Sequence, residues 1–416
     1  MYRSLRLFWK PWLPLVLLMG AAAVTVFRAG TPFPQDDHFL YQAFIEALAR
    51  GKLDLTIAGF HGSDVFAVPW YWISHSAIAQ IQTLYLWIVL LPIIAFFAGR
   101  SIYHHGTVGQ GRDDYSNTVE HGRGIAAALQ FACVIAMMPF ISFVAWRGWT
   151  GPAYWGLMLL SIALARRKPL LAGTALVFAI LTKPFAIVLV PLLVVLAPRR
   201  PVPQPSSGKA AAMPRPYAIF RALFKDKTAS STQSNATMLR SYGGIVAALA
   251  IPALYILIQY AMTGRVLVGA HGGMTAASLW VGLERVLLNL AHGVQILFSV
   301  HNYYFPDPAL TGAGNLLHTS PVLIFLGVFA LLAPSLYFED RRVWGALIIG
   351  AAIGFVLPAF MDHMDHFYME AGVLLLILAS LPALRRHPLW VPIVLATLHF
   401  QWLYFYLQFR EPFALT

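Results

Sequence analysis

Residues 33–55 read FPQDDHFLYQAFIEALARGKLDL. Two adjacent carboxylates, Asp36 and Asp37, come shortly after an apolar stretch that runs from about Pro11 to Phe27. Behind the pair, Leu40, Phe44, Ala47 and Leu48 fall on one face at helical spacing. A helix therefore starts near the acids, and an aspartate at its head can simply cap it. Acids beside a lipid-like stretch are also costly to place, which makes the pair a candidate functional site. What surrounds the segment decides between these readings.

The surroundings are built for lipid. The chain has 416 residues, 59% hydrophobic and 11% charged, with a mean hydropathy of +0.67. Soluble domains carry about 25% charged residues, so the composition predicts an all-α polytopic membrane protein. A single cysteine, Cys133, excludes an internal disulfide. The first apolar segment has basic flanks like a signal peptide, but no small-x-small cleavage site follows it, and it reads as a retained anchor. The net charge of +12 fits basic loops on the cytoplasmic face, and no nucleic-acid partner is expected.

Taken in order, apolar stretches at about 11–27, 77–99, 124–145 and 151–165 read as the first four spans, the first of them near the ~20 residues needed to cross. Residues 169–198 lie between Arg166-Arg167-Lys168 and Arg199-Arg200. One helix would put a basic cluster outside, whereas two short helices meeting near Lys183-Pro184 keep both inside. Each arm is then only about 20 Å long. The hairpin is the preferred reading and one long span the alternative. Further spans are expected at 242–262, 321–338, 343–360, 367–384 and 388–407, making about 11 transmembrane helices with the short hairpin included. The whole chain, 1–416, reads as one integral-membrane domain. It carries a first extracytoplasmic loop at 31–76, a cytoplasmic basic loop at 199–240 and a second extracytoplasmic loop at 263–320. Within 199–240, Tyr217, Phe220, Leu223 and Phe224 beside Arg221, Lys225 and Lys227 suit an anionic leaflet. Within 263–320, Leu283, Val286, Leu287, Leu290, Val294 and Leu297 keep helical spacing, with Glu284, Arg285, Asn289 and His292 off the stripe. That pattern predicts an amphipathic extracytoplasmic helix lying in the interface. With this topology the 29 Lys and Arg sort 21 inside to 8 outside, as the orientation rule requires.

The order of these features resembles a known family. A first span, an outer Asp36-Asp37, then Phe39-Leu40-Tyr41 with Ala43, then Leu48-Ala49 with Gly51-Lys52-Leu53 is similar to the GT-C superfamily of membrane glycosyltransferases, in the manner of the protein O-mannosyltransferases and aminoarabinose transferases. Leu181-Thr182-Lys183-Pro184 looks like the Leu-Thr-Lys segment common there, and His366-Phe367-Tyr368 like the outer entry to a late span. The chain departs from the family in having Asp37 where Glu is commoner, and the subfamily stays open.

The resemblance implies a transferase using a polyprenyl-phosphate-linked sugar donor, with a glycan, lipid or protein acceptor, in the plasma (inner) membrane with its active site on the extracytoplasmic side. Asp36 is then the base that deprotonates the acceptor hydroxyl, with inversion at the sugar, and Asp37 orients it. The leaving phosphate calls for cations at the interface. Lys183, Arg147, Arg265 and Arg285 are candidates, with His366 and Tyr368 as neutral donors. For each cation the plainer alternative is a side chain snorkelling from a helix end. Asp362, His363, Asp365 and His366 carry donor atoms that suit a divalent metal, the only cofactor the chain suggests, although solvated turn residues on an exposed loop are the simpler explanation. Asp64 and His61 are placed on the acceptor side without rank. Two other classes remain open, a transporter or flippase for lipid-linked sugars or small molecules, and a non-catalytic assembly protein. A transporter calls for polar residues in mid-span and inverted repeats. Here Lys183 is the main charge within a span.

Overall fold

The computed structural model describes residues 2–28, 36–57, 59–103, 114–136, 150–197, 231–264, 266–267, 273–274, 286–291, 327–328, 341–360 and 369–386. Apart from an antiparallel pairing of Val266–Leu267 with Gly273–Met274, their regular structure is helical. The helices are α1 (Tyr2–Arg28), α2 (Asp36–Ala49), α3 (Val68–Ser74), α4 (Ala79–Tyr103), α5 (Asp114–Ala136), α6 (Gly151–Leu164), α7 (Pro169–Thr182), α8 (Val190–Leu196), α9 (Ser231–Thr263), α10 (Arg341–Val356) and α11 (Glu370–Arg386). Three stretches are long and apolar enough to cross a bilayer: Ala79–Ile102, Tyr242–Thr263 and Arg341–Ala359, with mean hydropathies of 2.1, 2.0 and 1.7. Shorter apolar helices run through Trp12–Val24, Ile125–Ala136, Gly151–Leu164, Pro169–Thr182, Pro184–Leu196 and Glu370–Ala379. The expected spans at 388–407 and, but for 327–328, at 321–338 lie outside the described residues.

Proline marks where several helices begin. Pro69, Pro152, Pro169 and Pro191 stand in first turns, where a missing N–H costs nothing. Pro92 and Pro252 sit inside α4 and α9, a placement that apolar helices tolerate when neighbours support them. Two helices begin earlier than hydropathy alone predicts. α5 starts at Asp114, within the polar segment before span three, and α9 starts at Ser231, within the tail of the expected 199–240 loop. Polar residues continue a helix once its apolar part is formed, because each further residue adds a hydrogen bond at no nucleation cost.

The core is a set of packed helices. α4 packs between α5 and α6, α6 packs antiparallel on α7, and α9 lies along α7. Trp155, Tyr154, Phe131 and Leu91 are fully buried there. Between apolar helices in lipid, association rests on close packing, which small residues permit. Gly173 of α7 and Gly244 of α9 supply it: a Cβ on Gly173 would stand 2.5 Å from the Gly244 Cα.

The helix break expected near Lys183-Pro184 is present. Proline restrains the residue before it to extended geometry, and Lys183 has φ −147° and ψ 122°. The chain then makes a 3-10 segment, Pro184–Leu189, and enters α8. The Val188 carbonyl lies against Gly350 of α10, which also faces Leu375 of α11. At the break, Lys183 meets Glu370 at the head of α11. The arms do not pack mainly on each other: α7 lies on α6 and α9, and α8 on α10.

The interfacial helix expected around 283–297 is described only at 286–291, and its polar side differs from the expectation. Asn289 is buried, and its Nδ2 donates to the Ala359 carbonyl at 2.9 Å. Ala359 belongs to the 3-10 turn Leu357–Phe360 after α10. An end-of-helix carbonyl lacks an internal donor, and Asn289 supplies one. Leu287, Leu288 and Ala291 are the exposed residues of 286–291.

Candidate functional site

Asp36 and Asp37 are the first two residues of α2. The next residue fixes that helix in place. His38 is buried, and its Nδ1 donates to Gln80 Oε1 at 2.8 Å, which joins α2 to the first turn of α4. One turn on, the buried Gln42 donates to Glu46 and to the Ser76 carbonyl, both at 3.2 Å. The head of α2 is thus held to the head of a helix long enough to cross a bilayer.

The loop after α2 folds back over it. At its start Asp54 is partly exposed, and Lys52, 2.8 Å away, with a further contribution from Thr56, holds its carboxyl down at about 2. At its centre His61 and Asp64 form a buried pair, with Nδ1 donating to Oδ2 at 2.9 Å. Nε2 of the same ring faces the Ile57 carbonyl at 3.3 Å. The ring stacks on Phe44 of α2, with centroids 4.1 Å apart and planes within 5°, and meets Tyr41 edge-on. Tyr255 of α9 donates to the Gly59 carbonyl at 3.2 Å.

This loop is seated on the end of α7. Gly62 N–H donates to the Leu181 carbonyl at 2.8 Å. A side chain at Gly62 would collide with the Phe178 carbonyl and stand 2.7 Å from the Leu181 carbonyl carbon, so only glycine allows this approach. Two residues beyond Leu181 is Lys183. Its Nζ donates to Glu370 Oε2 at 2.8 Å and lies 5.4 Å from the centre of the Tyr154 ring. Lys183 retains 18% side-chain exposure, whereas Glu370 has 3%. The Tyr154 hydroxyl is buried with no hydrogen-bond partner among the described residues. One end of the bundle therefore gathers the head of α2, the His61–Asp64 pair and the Lys183–Glu370 pair.

Of the cations and donors expected around a phosphate, only Lys183 is among the described residues, and it is engaged by a carboxylate. Arg147, Arg265, Arg285, His366 and Tyr368 lie outside them, as do Asp362, His363 and Asp365. Among the described residues no three His, Cys, Asp or Glu side chains are grouped so as to hold a metal. Sequence reading passed over Glu370, Tyr154 and Gln80. Glu370 did carry a signal: it is an acid at the very start of the apolar run 371–379. Tyr154 and Gln80 carried none, since an apolar helix accommodates either without function. No family model, curated protein or solved structure matches the chain, and its site is read from its own residues.

Proposed function

We propose that this chain is an inverting glycosyltransferase of the GT-C kind, taking a sugar from a polyprenyl-phosphate donor to a glycan, lipid or protein acceptor. In this reading it is a multi-pass protein of the plasma (inner) membrane with about 11 spans and an extracytoplasmic active site, its outer loops being 31–76 and 263–320. Asp36 takes the proton of the acceptor hydroxyl as the oxygen attacks the anomeric carbon. The bond from that carbon to the phosphate oxygen breaks on the opposite face, and the polyprenyl phosphate leaves as an anion. General-base assistance of this kind is worth roughly 10²–10⁴ in rate. Asp37 orients Asp36 or the acceptor. Lys183 faces the leaving phosphate, and Arg147, Arg265, Arg285, His366 and Tyr368 are the other groups assigned to the donor. A divalent metal, if the enzyme uses one, would draw on Asp362, His363 and His366.

The observation that carries the proposal is the placement of an acidic pair at the head of α2, a helix tied through His38 to the head of α4 and covered by a loop seated beside Lys183. Carboxylates and a cation at one end of an apolar bundle suit a reaction between a water-borne nucleophile and a lipid-borne phosphate ester. The test is turnover of a polyprenyl-phosphate sugar by the purified protein in nanodiscs. Sugar-dependent release of polyprenyl phosphate is expected, and Asp36→Asn should lower it by about 10²-fold or more with unfolding temperature unchanged. Normal turnover in Asp36→Asn removes the proposal. Movement of the intact lipid-linked sugar across the bilayer without cleavage establishes the transporter reading instead.

A further inference from the structure

The loop between α2 and α4 is not uniformly a watery one. Residues 65–99 contain no Asp, Glu, Lys or Arg. That run is far longer than the ~20 residues a crossing helix needs. α4 begins only at Ala79, so the uncharged segment ahead of it, 65–78, is surplus to the crossing. Its middle folds as α3, which ends at His75 in a left-handed turn at φ 48°.

The buried and exposed sides of this segment are chemically inverted for a water-facing loop. Ala67 and Val68 are buried against Ile45 of α2. Ile73 is 77% exposed, more than any other large apolar side chain among the described residues, and Trp72 and Trp70 are 57% and 45% exposed. Val65 and Phe66 are exposed ahead of them. The indole N–H groups of both tryptophans are already satisfied within the protein. Trp70 donates to Gln82 Oε1 at 2.7 Å, and Trp72 to the Ala49 carbonyl at 3.0 Å. The rings are therefore fixed at their polar edges and offer apolar surface outward.

We propose that α3 and the turn before it, residues 65–74, are immersed in the bilayer, with Phe66, Trp70, Trp72 and Ile73 covered by lipid acyl chains. Continuity with the apolar flank of α4 argues for lipid over another occupant. Leu86 and Phe97 on that helix are exposed too, and Leu17 of α1 and Leu254 and Leu257 of α9 are exposed to a degree comparable with Ile73. The strip on α3 extends the surface that apolar helices present to lipid. Tryptophan also favours the boundary between headgroups and chains. The immersed segment acts as a float that holds the His61–Asp64 part of the loop at the membrane boundary. This inference stands whether the chain transfers sugars or moves them.

The test uses the full chain in liposomes. In a Cys133→Ala background, a polarity-sensitive fluorophore is placed at Ile73→Cys, and at Lys52→Cys as the water-facing control in the same loop. Replacing the lipid with phospholipid brominated on its acyl chains should lower emission at position 73 by about two-fold or more and leave position 52 unchanged. Aqueous iodide should quench position 52 and spare position 73. Iodide quenching at 73 equal to that at 52, with no effect of bromine, overturns the proposal. Protection of position 73 from both quenchers, with energy transfer between labelled copies, overturns it in favour of a contact between two chains. Where the labelled variant fails to fold, photolabelling of the unaltered chain by a diazirine carried in lipid tails should mark residues 65–74, and labelling confined to α1, α4 and α9 overturns the proposal.

Discussion

Asp64 shows how much depends on one side chain in this loop. Its carboxylate is buried beside the His61 ring, which is itself clamped on Phe44. A buried pair contributes little net stability over apolar residues of the same size, yet removing one partner strands the other. Asp64→Ala should therefore cost about 3 kcal/mol and lower the unfolding temperature of the detergent-solubilised protein. The double variant His61→Phe, Asp64→Leu should recover most of that loss, because it removes both polar groups and keeps the stack. A single variant with unchanged unfolding temperature would mean that water, not Asp64, satisfies His61. Lys183 and Glu370 follow the same logic across 187 positions of sequence, which is why neither reads as a pair from the chain alone.

Among the elements, the contact between α7 and α9 is the most sensitive to substitution. Gly173 and Gly244 touch backbone to backbone, so any side chain at Gly173 must push the helices apart. Gly173→Leu should destabilise by about 1–3 kcal/mol, read as a lowered unfolding temperature in detergent, whereas Gly243, the neighbour of Gly244, has open space around it and Gly243→Ala should be neutral. The sequence predicted these elements unevenly. The break at Lys183-Pro184 was readable because proline dictates the geometry of the residue before it and because basic clusters on both flanks favour two arms over a single crossing. The head of α2 was readable from spacing behind Asp36. The start of α9 at Ser231 was not, since hydropathy sees only the apolar part of a helix. α3 was not either: 68–74 is too short for periodicity, and its tryptophans signal lipid only once their exposure is known. Asn289 was set on the wet side of an amphipathic pattern, and a carbonyl at Ala359, far away in sequence, drew it inward.

For the whole molecule, the question is which side of the membrane each end of the bundle faces. The fold separates two ends along α7. At one end lie Lys183, Gly62 and the loop that carries Lys52; at the other lies the turn Arg166–Lys168, where the Arg167 and Lys168 N–H groups close on the Leu164 carbonyl. α7 has 14 residues, so these ends are about 20 Å apart. Three basic residues in that turn predict that it faces the cytoplasm under the orientation rule. The proposed chemistry needs the opposite end outside, where a lipid-linked sugar is met by an acceptor. Both requirements meet in one experiment, again in the Cys133→Ala background. A membrane-impermeant maleimide added to intact cells should label Lys52→Cys and spare Lys168→Cys until the cells are permeabilised. Lysine 52 is exposed and belongs to no packed element, so its replacement leaves the fold intact. The reverse pattern would put the head of α2 in the cytoplasm. Asp36 would then face the compartment that holds soluble nucleotide sugars, and the proposal of an extracytoplasmic transferase would fail even if every contact described in the loop stood.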